Sequence, residues 1–286
     1  MKIGIVGAEN SHTAAIAKTI NVEKLVEGFT VDYVWGETEE FARKAAEAGS
    51  IPNIVGDPAE MLGKVDAVIV DHRHPLHHLP AVWAFVERGV PTFVDKPFCY
   101  RAEEGRKFLA AAKRHKAPVT SFSVIPHQQT FKDFKASMAA LGEIKAGTMY
   151  GPCDLESVYG GVFFYGVHQV EALLEAFGYN VASVLVARNG ENATGQLLYA
   201  DGKLVTMNFV KAGVGGFNIS AIGDKGIAHQ TLTFDANAYL GGIKTFTDMF
   251  RTGVEPRPYE QILKPVQVLE ALEKSVASGK VEAVEN

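Results

Sequence analysis

Cysteine, long apolar runs and excess positive charge are all scarce in this sequence. Its 286 residues include two cysteines, Cys99 and Cys153, and neither lies in a C-x-x-C pair, so a disulfide scaffold is excluded. No apolar run reaches the ~18 residues that a membrane span needs, and the first residues lack the long apolar region of a signal peptide. We therefore expect a soluble, cytoplasmic protein.

The charge balance is mildly acidic. With 28 Lys and Arg against 33 Asp and Glu, the formal net charge is −5, which argues against nucleic acid or an anionic membrane as the main partner. Apolar residues make up 47% of the chain, which is enough to bury a core. The length suggests about two domains at roughly 100–200 residues each. We expect an enzyme that acts on a small molecule.

Strands and helices alternate through the first half of the sequence. Short apolar runs predict strands at 3–6, 30–35, 66–70, 92–94 and 119–122. Helical spacing and capping residues predict helices at 11–20, 38–48, 80–89 and 102–115, with a further helix start at 57–60. This alternation predicts an α/β fold with a doubly wound parallel sheet in a domain that spans residues 1–122.

The pattern changes near residue 123. Strands are predicted at 142–151, 181–188, 195–210 and 217–234, with turns at Asp201-Gly202 and 223–226. Two helices follow, one over 239–252 and one that carries the apolar residues between 266 and 276. Because proline disrupts a helix interior, Pro265 should start or kink the last helix. Residues 123–286 are therefore predicted to form an α+β domain with a mostly antiparallel, open sheet.

A glycine turn follows the first strand, in Gly7-Ala8-Glu9-Asn10-Ser11-His12. A strand, a glycine turn and a helix start place backbone N–H groups where a pyrophosphate can bind. Only the first glycine of the G-x-G-x-x-G fingerprint is present, and Glu9 stands where the backbone should approach the phosphates. Asn10 and Ser11 offer amide and hydroxyl donors instead. The stretch alone fits a plain tight turn of another doubly wound protein equally well.

The second predicted strand ends at Trp35-Gly36-Glu37. A carboxylate at this position accepts hydrogen bonds from ribose hydroxyls and disfavours a 2′-phosphate, which favours NAD over NADP. Glu37 is equally suited to help cap the next helix. Both alternatives stay open at this point.

Three further segments carry a stronger signal when they are taken together. The strand at 68–70 leads through Asp71 to His78, the stretch 84–90 leads into Asp95-Lys96-Pro97, and Gly160-Gly161 precede Gly166-Val167-His168. Their order and spacing resemble the Gfo/Idh/MocA family of NAD(P)-dependent oxidoreductases, with its strand-end loop histidine, its E-K-P element and its G-G-G…D-x-G-x-H segment. The resemblance covers essentially the whole chain.

The resemblance implies a Rossmann domain that binds NAD or NADP, and a second domain whose open sheet forms the substrate pocket and the interface of a homodimer or homotetramer. Family members typically oxidise a secondary alcohol of a sugar, inositol or related polyol. The family's lysine, which contacts the nicotinamide ribose and the reacting hydroxyl, corresponds to Lys96, with Asp95 in place of glutamate. Pro97 is a candidate for a cis turn. A base is needed there because hydride leaves a carbinol carbon only as the hydroxyl proton leaves.

The family's G-x-H histidine corresponds to His168, which we place at the N-terminus of a helix that runs to Phe177. That position favours a neutral imidazole, as a general base requires. The family's aspartate four residues earlier is Phe164 here, so the usual carboxylate–histidine pair is missing. The candidates to replace it are Tyr165, Tyr159, Asp154 and His127.

Polar loops complete the predicted site. His127 and Gln128 replace the family's arginine-containing stretch, and with Tyr165 they are predicted substrate contacts. His72, His74, His77 and His78 could in principle bind zinc, but no cysteine joins them and Pro75 interrupts the run, so we predict no metal and interpret them as a polar loop on the nicotinamide side. The predicted cofactor contacts are Gly7, Ala8, Glu9, Asn10, Ser11, Glu37, His72, His77, Asp95, Lys96 and Pro97.

Three functions fit these patterns. The favoured one is an NAD(P)-dependent dehydrogenase with a sugar-like or polyol substrate, with Lys96 and His168 as catalytic residues and NAD slightly preferred. The second is a redox-neutral lyase or hydrolase that uses NAD transiently. The third is a catalytically inactive ligand sensor or partner-binding protein, which the missing glycines and Phe164 favour.

Overall fold

The chain folds into two units, each built around its own β-sheet. The computed structural model describes residues 1–213 and 215–285. One unit contains residues 1–122 and 239–263, and the other contains residues 123–238 and those from 264 onward. The sequence-based division at 122/123 coincides with the first change of unit. It placed residues 239–263 in the second domain, however, whereas they pack with the first.

The first unit has a six-stranded parallel sheet. Its strands are β1 (Lys2–Val6), β2 (Thr30–Trp35), β3 (Asn53–Ile54), β4 (Ala67–Val70), β5 (Thr92–Val94) and β6 (Val119–Thr120). Their spatial order is β3-β2-β1-β4-β5-β6, and every pairing is parallel. β4 and β5 are buried throughout, as strands covered on both faces must be. The predicted doubly wound fold is confirmed. Its strand order reverses between β1 and β4, where such sheets bind ligands at their carboxyl edge.

Helices connect the strands of both units. In chain order they are α1 (Ser11–Ala17), α2 (Glu39–Gly49), α3 (His78–Val86), α4 (Ala102–His115), α5 (Gln129–Ser137), α6 (Val162–Phe177), α7 (Leu240–Thr252) and α8 (Tyr259–Ser278). The predicted capping box of Asp57 and Glu60 is present, but it caps only a short 3-10 turn, Pro58–Met61. α3 begins ahead of Pro80, which lies in its first turn, where a missing N–H is tolerated. Across residues 1–213 and 215–285, no helix is both long and apolar enough to cross a membrane.

The helix α7 completes the hydrophobic core of the first unit. Phe246 stacks on Phe93 of β5 with ring centroids 4.5 Å apart, and Phe122 lies 5.0 Å from Phe93. Ile243 and Met249 are buried in the same core. Burial of each such side chain contributes about 1.5–3 kcal/mol. This burial explains why the chain returns to the first unit after its excursion into the second.

The second unit has a seven-stranded mixed sheet. Its strands are β7 (Ile144–Pro152), β8 (Val181–Asn189), β9 (Asn192–Tyr199), β10 (Leu204–Val210), β11 (Phe217–Gly223), β12 (Gly226–Leu232) and β13 (Glu282–Ala283). The spatial order is β12-β11-β7-β10-β9-β8-β13, and only the pairing of β7 with β10 is parallel. The mostly antiparallel sheet and the β9–β10 hairpin at Asp201-Gly202 are therefore confirmed. α6 packs Phe177 against Gly147 of β7, where an added Cβ would lie 2.2 Å from the ring.

Pro265 lies inside α8 and does not start it. The helix begins at Tyr259 and continues through Pro265 to Ser278, so the prediction of a helix start at Pro265 is wrong. An interior proline costs ~3 kcal/mol because it removes a hydrogen bond and crowds the preceding turn. Val266, Leu269 and Leu272 are fully buried just beyond it, and at about 1.5–3 kcal/mol each their burial outweighs that cost.

Candidate functional site

The turn after β1 lies against the end of β4. Gly7 has a φ of +106°, and an added Cβ would lie 2.7 Å from the backbone carbonyl carbon of Asp71. Gly7 also donates its N–H to the carbonyl of Trp35 at 2.9 Å. Only glycine tolerates this conformation together with this approach. Steric constraints therefore require glycine at position 7, the first residue of the predicted turn.

The carboxylate of Glu37 binds the backbone of this turn. Its Oε2 accepts hydrogen bonds from the N–H groups of Ala8 at 2.8 Å and Glu9 at 2.9 Å, and its Oε1 lies 2.7 Å from Nδ1 of His72. Burial raises the pKa of Glu37, but the hydrogen bonds from His72 and the two N–H groups outweigh burial and bring the pKa to about 2. Glu37 is therefore a fixed anion. The N-cap of α2 is Thr38, so the capping role considered for Glu37 is wrong.

Two buried carboxyl groups lie beside the turn. Asp71 follows β4, Asp95 follows β5, and neither is more than 3% exposed. Asn10 donates its side-chain amide to Asp71 Oδ1 at 2.8 Å and to Asp95 Oδ2 at 3.4 Å. Thr13 Oγ1 lies 2.7 Å from Asp71 Oδ2, and His12 Nδ1 lies 2.9 Å from Asp95 Oδ2. Asn10 thus turns its amide towards the two carboxyl groups and does not cap α1 with its side chain, while the neighbouring Ser11 is exposed.

The two aspartates share one negative charge. Burial and the adjacent charge of Asp95 hold the pKa of Asp71 well above its usual value. Burial also acts to raise the pKa of Asp95, but the nearby His12 and Lys96 outweigh burial and hold that pKa below its usual value. Two buried carboxylates in contact cannot both ionise cheaply. Asp71 is therefore the protonated member of the pair and Asp95 the ionised member.

Lys96 follows the ionised aspartate directly. It is 6% exposed, and its Nζ lies 4.0 Å from Asp95 Oδ2. Buried lysines are uncommon unless they are paired, and Asp95 supplies the counter-charge. The peptide bond between Lys96 and Pro97 is cis, as the sequence suggested. The structure thus places Asp95, Lys96 and Pro97 at the carboxyl edge of the sheet, while their catalytic and binding roles remain predictions.

In the histidine loop after β4, His78 is buried and His77 is exposed. His78 is buried, with Nδ1 2.8 Å from the carbonyl oxygen of Pro97 and Nε2 2.8 Å from that of His72, and burial lowers its pKa to about 4. His77 is exposed, with its ring 5.7 Å from that of His72 and 5.8 Å from that of His74. In the described parts of the chain, no three histidines of this loop bring their nitrogens to a common point.

In the second unit, His168 is paired with Ser123. Its Nδ1 lies 2.8 Å from Ser123 Oγ, which also accepts the N–H of Ile125 at 3.2 Å. Ser123 is fully buried and His168 is 7% exposed. Tyr165, one of the candidates from the sequence, packs its ring edge to face with His168 at 5.6 Å instead. Nδ1 of His168 is thus paired with a neutral hydroxyl.

His168 does not lie at the start of its helix. α6 begins at Val162, after Gly160 and Gly161, both of which have positive φ. His168 is therefore about two turns inside the helix, whereas the helix dipole acts within the first turn. The prediction that the helix terminus keeps this imidazole neutral is wrong. Helix α6 starts earlier than predicted because the apolar side chains at 162–164 are buried or packed against its other residues.

Gln128 has a structural role in the second unit. It is 2% exposed, its Nε2 donates to the carbonyls of Val124 and Ala238 at 2.8 Å each, and its Oε1 accepts the N–H of Asp235 at 2.9 Å. With both polar atoms of the amide engaged, Gln128 has no support as a substrate contact. The neighbouring His127 is half-buried and stays a predicted contact.

A family model matches the first part of the chain. Residues 1–122 match the family model GFO_IDH_MocA, described as an oxidoreductase family with an NAD-binding Rossmann fold. These residues are therefore similar to the NAD-binding Rossmann domain of that family. The resemblance noted in the sequence is thus confirmed over residues 1–122. No curated protein matches the chain.

Several solved structures match nearly the whole chain. A probable dehydrogenase from Thermotoga maritima is 18% identical with a TM-score of 0.85, over 99% of each chain. A putative myo-inositol dehydrogenase from Sinorhizobium meliloti 1021 is 17% identical with a TM-score of 0.83, over 100% of each chain. The scyllo-inositol dehydrogenase of Lactobacillus casei, with bound NAD(H) and scyllo-inositol, is 14% identical with a TM-score of 0.85, over 99% of each chain. At sequence identities of 14–18%, the structural similarity establishes the fold alone.

The charge of Glu37 fits the ribose end of NAD. Its carboxylate is held by the N–H groups of Ala8 and Glu9, by His72 and by its own N–H. This fixed charge would attract a ribose hydroxyl, which is a donor, and would repel a 2′-phosphate. Because the N–H groups of Ala8 and Glu9 already donate to Glu37, the phosphates would depend on the N–H groups of the first turn of α1.

Four residues of the site were missed from the sequence: His12, Thr13, Asp71 and Ser123. Asp71 directly follows β4, and His12 stands at the third glycine position of the fingerprint. The parallel order β1-β4-β5 brings both residues to one edge of the sheet, so the predicted topology was sufficient to place them near the site. Ser123 lies 45 residues from His168, and no local pattern links the two.

Proposed function

We propose that this protein is a dehydrogenase that transfers hydride between NAD and a secondary alcohol of a sugar, inositol or related polyol. The observation that carries the proposal is the buried Lys96 beside the ionised Asp95, at the carboxyl edge of a sheet that matches an oxidoreductase family. Ligands of open α/β sheets bind at this edge. A desolvated lysine beside a carboxylate is suited to acid–base chemistry there.

Lys96 supplies the proton transfer that alcohol oxidation requires. The bound nicotinamide supplies the hydride acceptor. As the carbinol C–H bond breaks, a neutral amine at Lys96 accepts the hydroxyl proton, and in the reverse direction the ammonium returns it to the carbonyl oxygen. Asp95 stabilises the ammonium form and holds it in place. The family resemblance assigns His168 the role of a second base or proton relay, with Ser123 orienting its ring.

The proposed cofactor is NAD and not NADP. Glu37 is ionised over the physiological pH range because its pKa is about 2, and a 2′-phosphate would place two negative groups together. Gly7 gives the turn its shape, and the turn from Ala8 to Ser11 lies where the dinucleotide would bind. His72 and His77 remain predicted contacts on the loop after β4.

The proposed substrate class comes from proteins of the same fold. The structure from Lactobacillus casei contains scyllo-inositol, and the one from Sinorhizobium meliloti is of a putative myo-inositol dehydrogenase. Tyr165 and His127 are proposed to contact the polyol through their polar tips. A homodimer or homotetramer in the cytoplasm is part of the same proposal.

A ligand sensor without chemistry is the second candidate. It is favoured by one observation, that the N–H groups of Ala8 and Glu9 are bound by Glu37 where they would otherwise be open to a phosphate. The replacement of the family's aspartate by Phe164 points the same way. This candidate predicts that a dinucleotide or polyol binds without turnover.

Titration with NAD, NADH, NADP and NADPH separates the candidates. NADH fluorescence gives the dissociation constant, and a ligand at one hundred times that constant adds ~2.7 kcal/mol to the free energy of unfolding, which raises Tm. We expect NAD and NADH to bind, and at least one polyol from a panel of inositols and sugars to reduce NAD. Binding with no reduction by any polyol would support the sensor. NAD that co-purifies without net NADH formation would indicate a redox-neutral reaction. No binding of any of the four would overturn the dehydrogenase.

A further inference from the structure

We propose that His12 is a positioning residue of this site, which binds Asp95 and thereby sets the pH range in which Lys96 accepts a proton. The inference rests on the proposed function, because it assigns the reacting hydroxyl to Lys96. The fingerprint has glycine where His12 stands, and the family pattern has glutamate where Asp95 stands. Two separate departures of this sequence from the family pattern therefore meet in a single contact.

One oxygen of Asp95 is shared by three partners. Asp95 Oδ2 lies 2.9 Å from His12 Nδ1, 3.4 Å from the side-chain amide nitrogen of Asn10 and 4.0 Å from Lys96 Nζ. The contact with His12 has an ordinary hydrogen-bond length, the contact with Asn10 is long, and 4.0 Å is the outer limit of an ion pair, so His12 is the tightest partner. The ring of His12 also packs edge to face on Tyr239, with centroids 5.0 Å apart. This packing holds the imidazole in the orientation that reaches Asp95.

The shared oxygen couples the two basic groups. Asp95 carries one negative charge, and while His12 donates to it, Lys96 receives less stabilisation of its ammonium form, so Lys96 releases its proton more easily. Asp71 adds no compensating charge, because it is the protonated member of the aspartate pair. The titratable or charged groups that face this cluster from the surrounding elements are His12 on α1, Asp71 after β4, His78 on α3, Asp95 and Lys96 after β5, and Tyr239 before α7.

The test follows the titration of Lys96 itself by NMR. Protein labelled with ¹³C at the lysine ε-carbon gives one signal for each lysine, and the K96R variant identifies the signal of Lys96. H12F keeps a ring against Tyr239 but cannot donate to Asp95, and we expect it to raise the midpoint of the Lys96 titration by about 0.5–1 pH unit. H12N keeps an amide donor, so its midpoint should stay within about 0.3 unit of the wild type. H229N, at an exposed histidine of the second unit, is the matched control.

A second variant keeps the test decisive if H12F fails to fold. The double variant D71N/D95N removes the counter-charge together with the carboxyl group that would ionise in its place, so the midpoint should fall by about 0.5 unit or more. A midpoint that does not move in H12F, or in D71N/D95N, overturns the proposal. The measurement needs neither cofactor nor substrate, so its outcome is independent of whether the dehydrogenase function holds. If a polyol substrate is found, the acidic limb of the kcat–pH profile should move in H12F by the same amount as the NMR midpoint.

Discussion

Ser123 Oγ lies 2.8 Å from His168 Nδ1 in the buried part of the second unit, and Ser220 Oγ lies 2.8 Å from His229 Nδ1 on an exposed hairpin of the same unit. The two pairs have the same length and the same chemistry. They differ in burial, which decides how much the loss of the hydroxyl costs, because water can replace it only at the exposed pair.

Ser123→Ala should therefore lower the free energy of unfolding by about 1–2 kcal/mol, because both the imidazole and the N–H of Ile125 lose a buried partner. Ser220→Ala should change it by less than about 0.5 kcal/mol. Urea denaturation of the two variants and the wild type checks the difference. Equal losses at both positions would show that Ser123 does not hold His168 in solution.

Lys96→Ala should reduce kcat with a polyol substrate by about 100-fold to 10,000-fold, the range that removal of a general acid–base group produces. The dissociation constant for NADH should change far less than kcat, since the variant loses one of many predicted cofactor contacts but the whole of the proposed proton transfer. Lys107→Ala, at an exposed lysine of α4, is the control for loss of a lysine charge. Full turnover by the Lys96 variant would remove the residue from the mechanism.

Glu37 should contribute to the loss of stability in acid. Its pKa falls from an ordinary value of 4.5 to about 2 on folding, so its contribution is present above about pH 5 and disappears as the pH falls through about 2. In Glu37→Gln, the free energy of unfolding between pH 5 and 2 should therefore fall by about 2 kcal/mol less than in the wild type.

Urea denaturation at several pH values provides this measurement. Glu39→Gln, at an exposed carboxylate in the first turn of α2, should follow the wild type. Parallel pH curves for the wild type and Glu37→Gln would mean that the hydrogen bonds of Glu37 to the turn do not persist in solution.

Gly7→Ala should lower the free energy of unfolding by about 2–4 kcal/mol, through backbone strain and the close approach of the new Cβ to Asp71. Gly63→Ala separates the two effects, because Gly63 also has a positive φ, +78°, but has open space around it. Strain alone should cost it about 1 kcal/mol. Thermal unfolding followed by circular dichroism compares the two. A loss at Gly7 no larger than that at Gly63 would argue against the tight approach to Asp71.

Much of the first unit was predictable because its signals are local. Apolar runs gave five of its strands, and Gly7 is required by the backbone at one turn. The short β3 was missed because the exposed pair Asn53–Ile54 has no apolar run around it. The prediction of a helix start at Pro265 was wrong because the energetic penalty of a proline is local. The burial that outweighs this penalty comes from the tertiary packing of Val266, Leu269 and Leu272.

The polar partners within the site were harder to predict because they join distant segments. Asp95 and Lys96 stood out through a motif, but His12 and Asp71 acquire their significance only when β1, β4 and β5 lie side by side. Ser123 has no sequence signal as a partner of His168, since a serine oxygen fits many environments. Four other polar residues were therefore proposed as the partner of His168, and Ser123 was not among them.

The return of the chain to the first unit has a consequence for how this module can be exchanged or expressed. A gene segment for residues 1–122 encodes all six strands and the whole family match, yet it leaves out Ile243, Phe246 and Met249. A polypeptide that ends at Phe122 would expose the face of Phe93 that Phe246 covers. Recombination between relatives can therefore transfer an intact nucleotide-binding module only as two pieces of coding sequence, of which the second encodes residues 239–263.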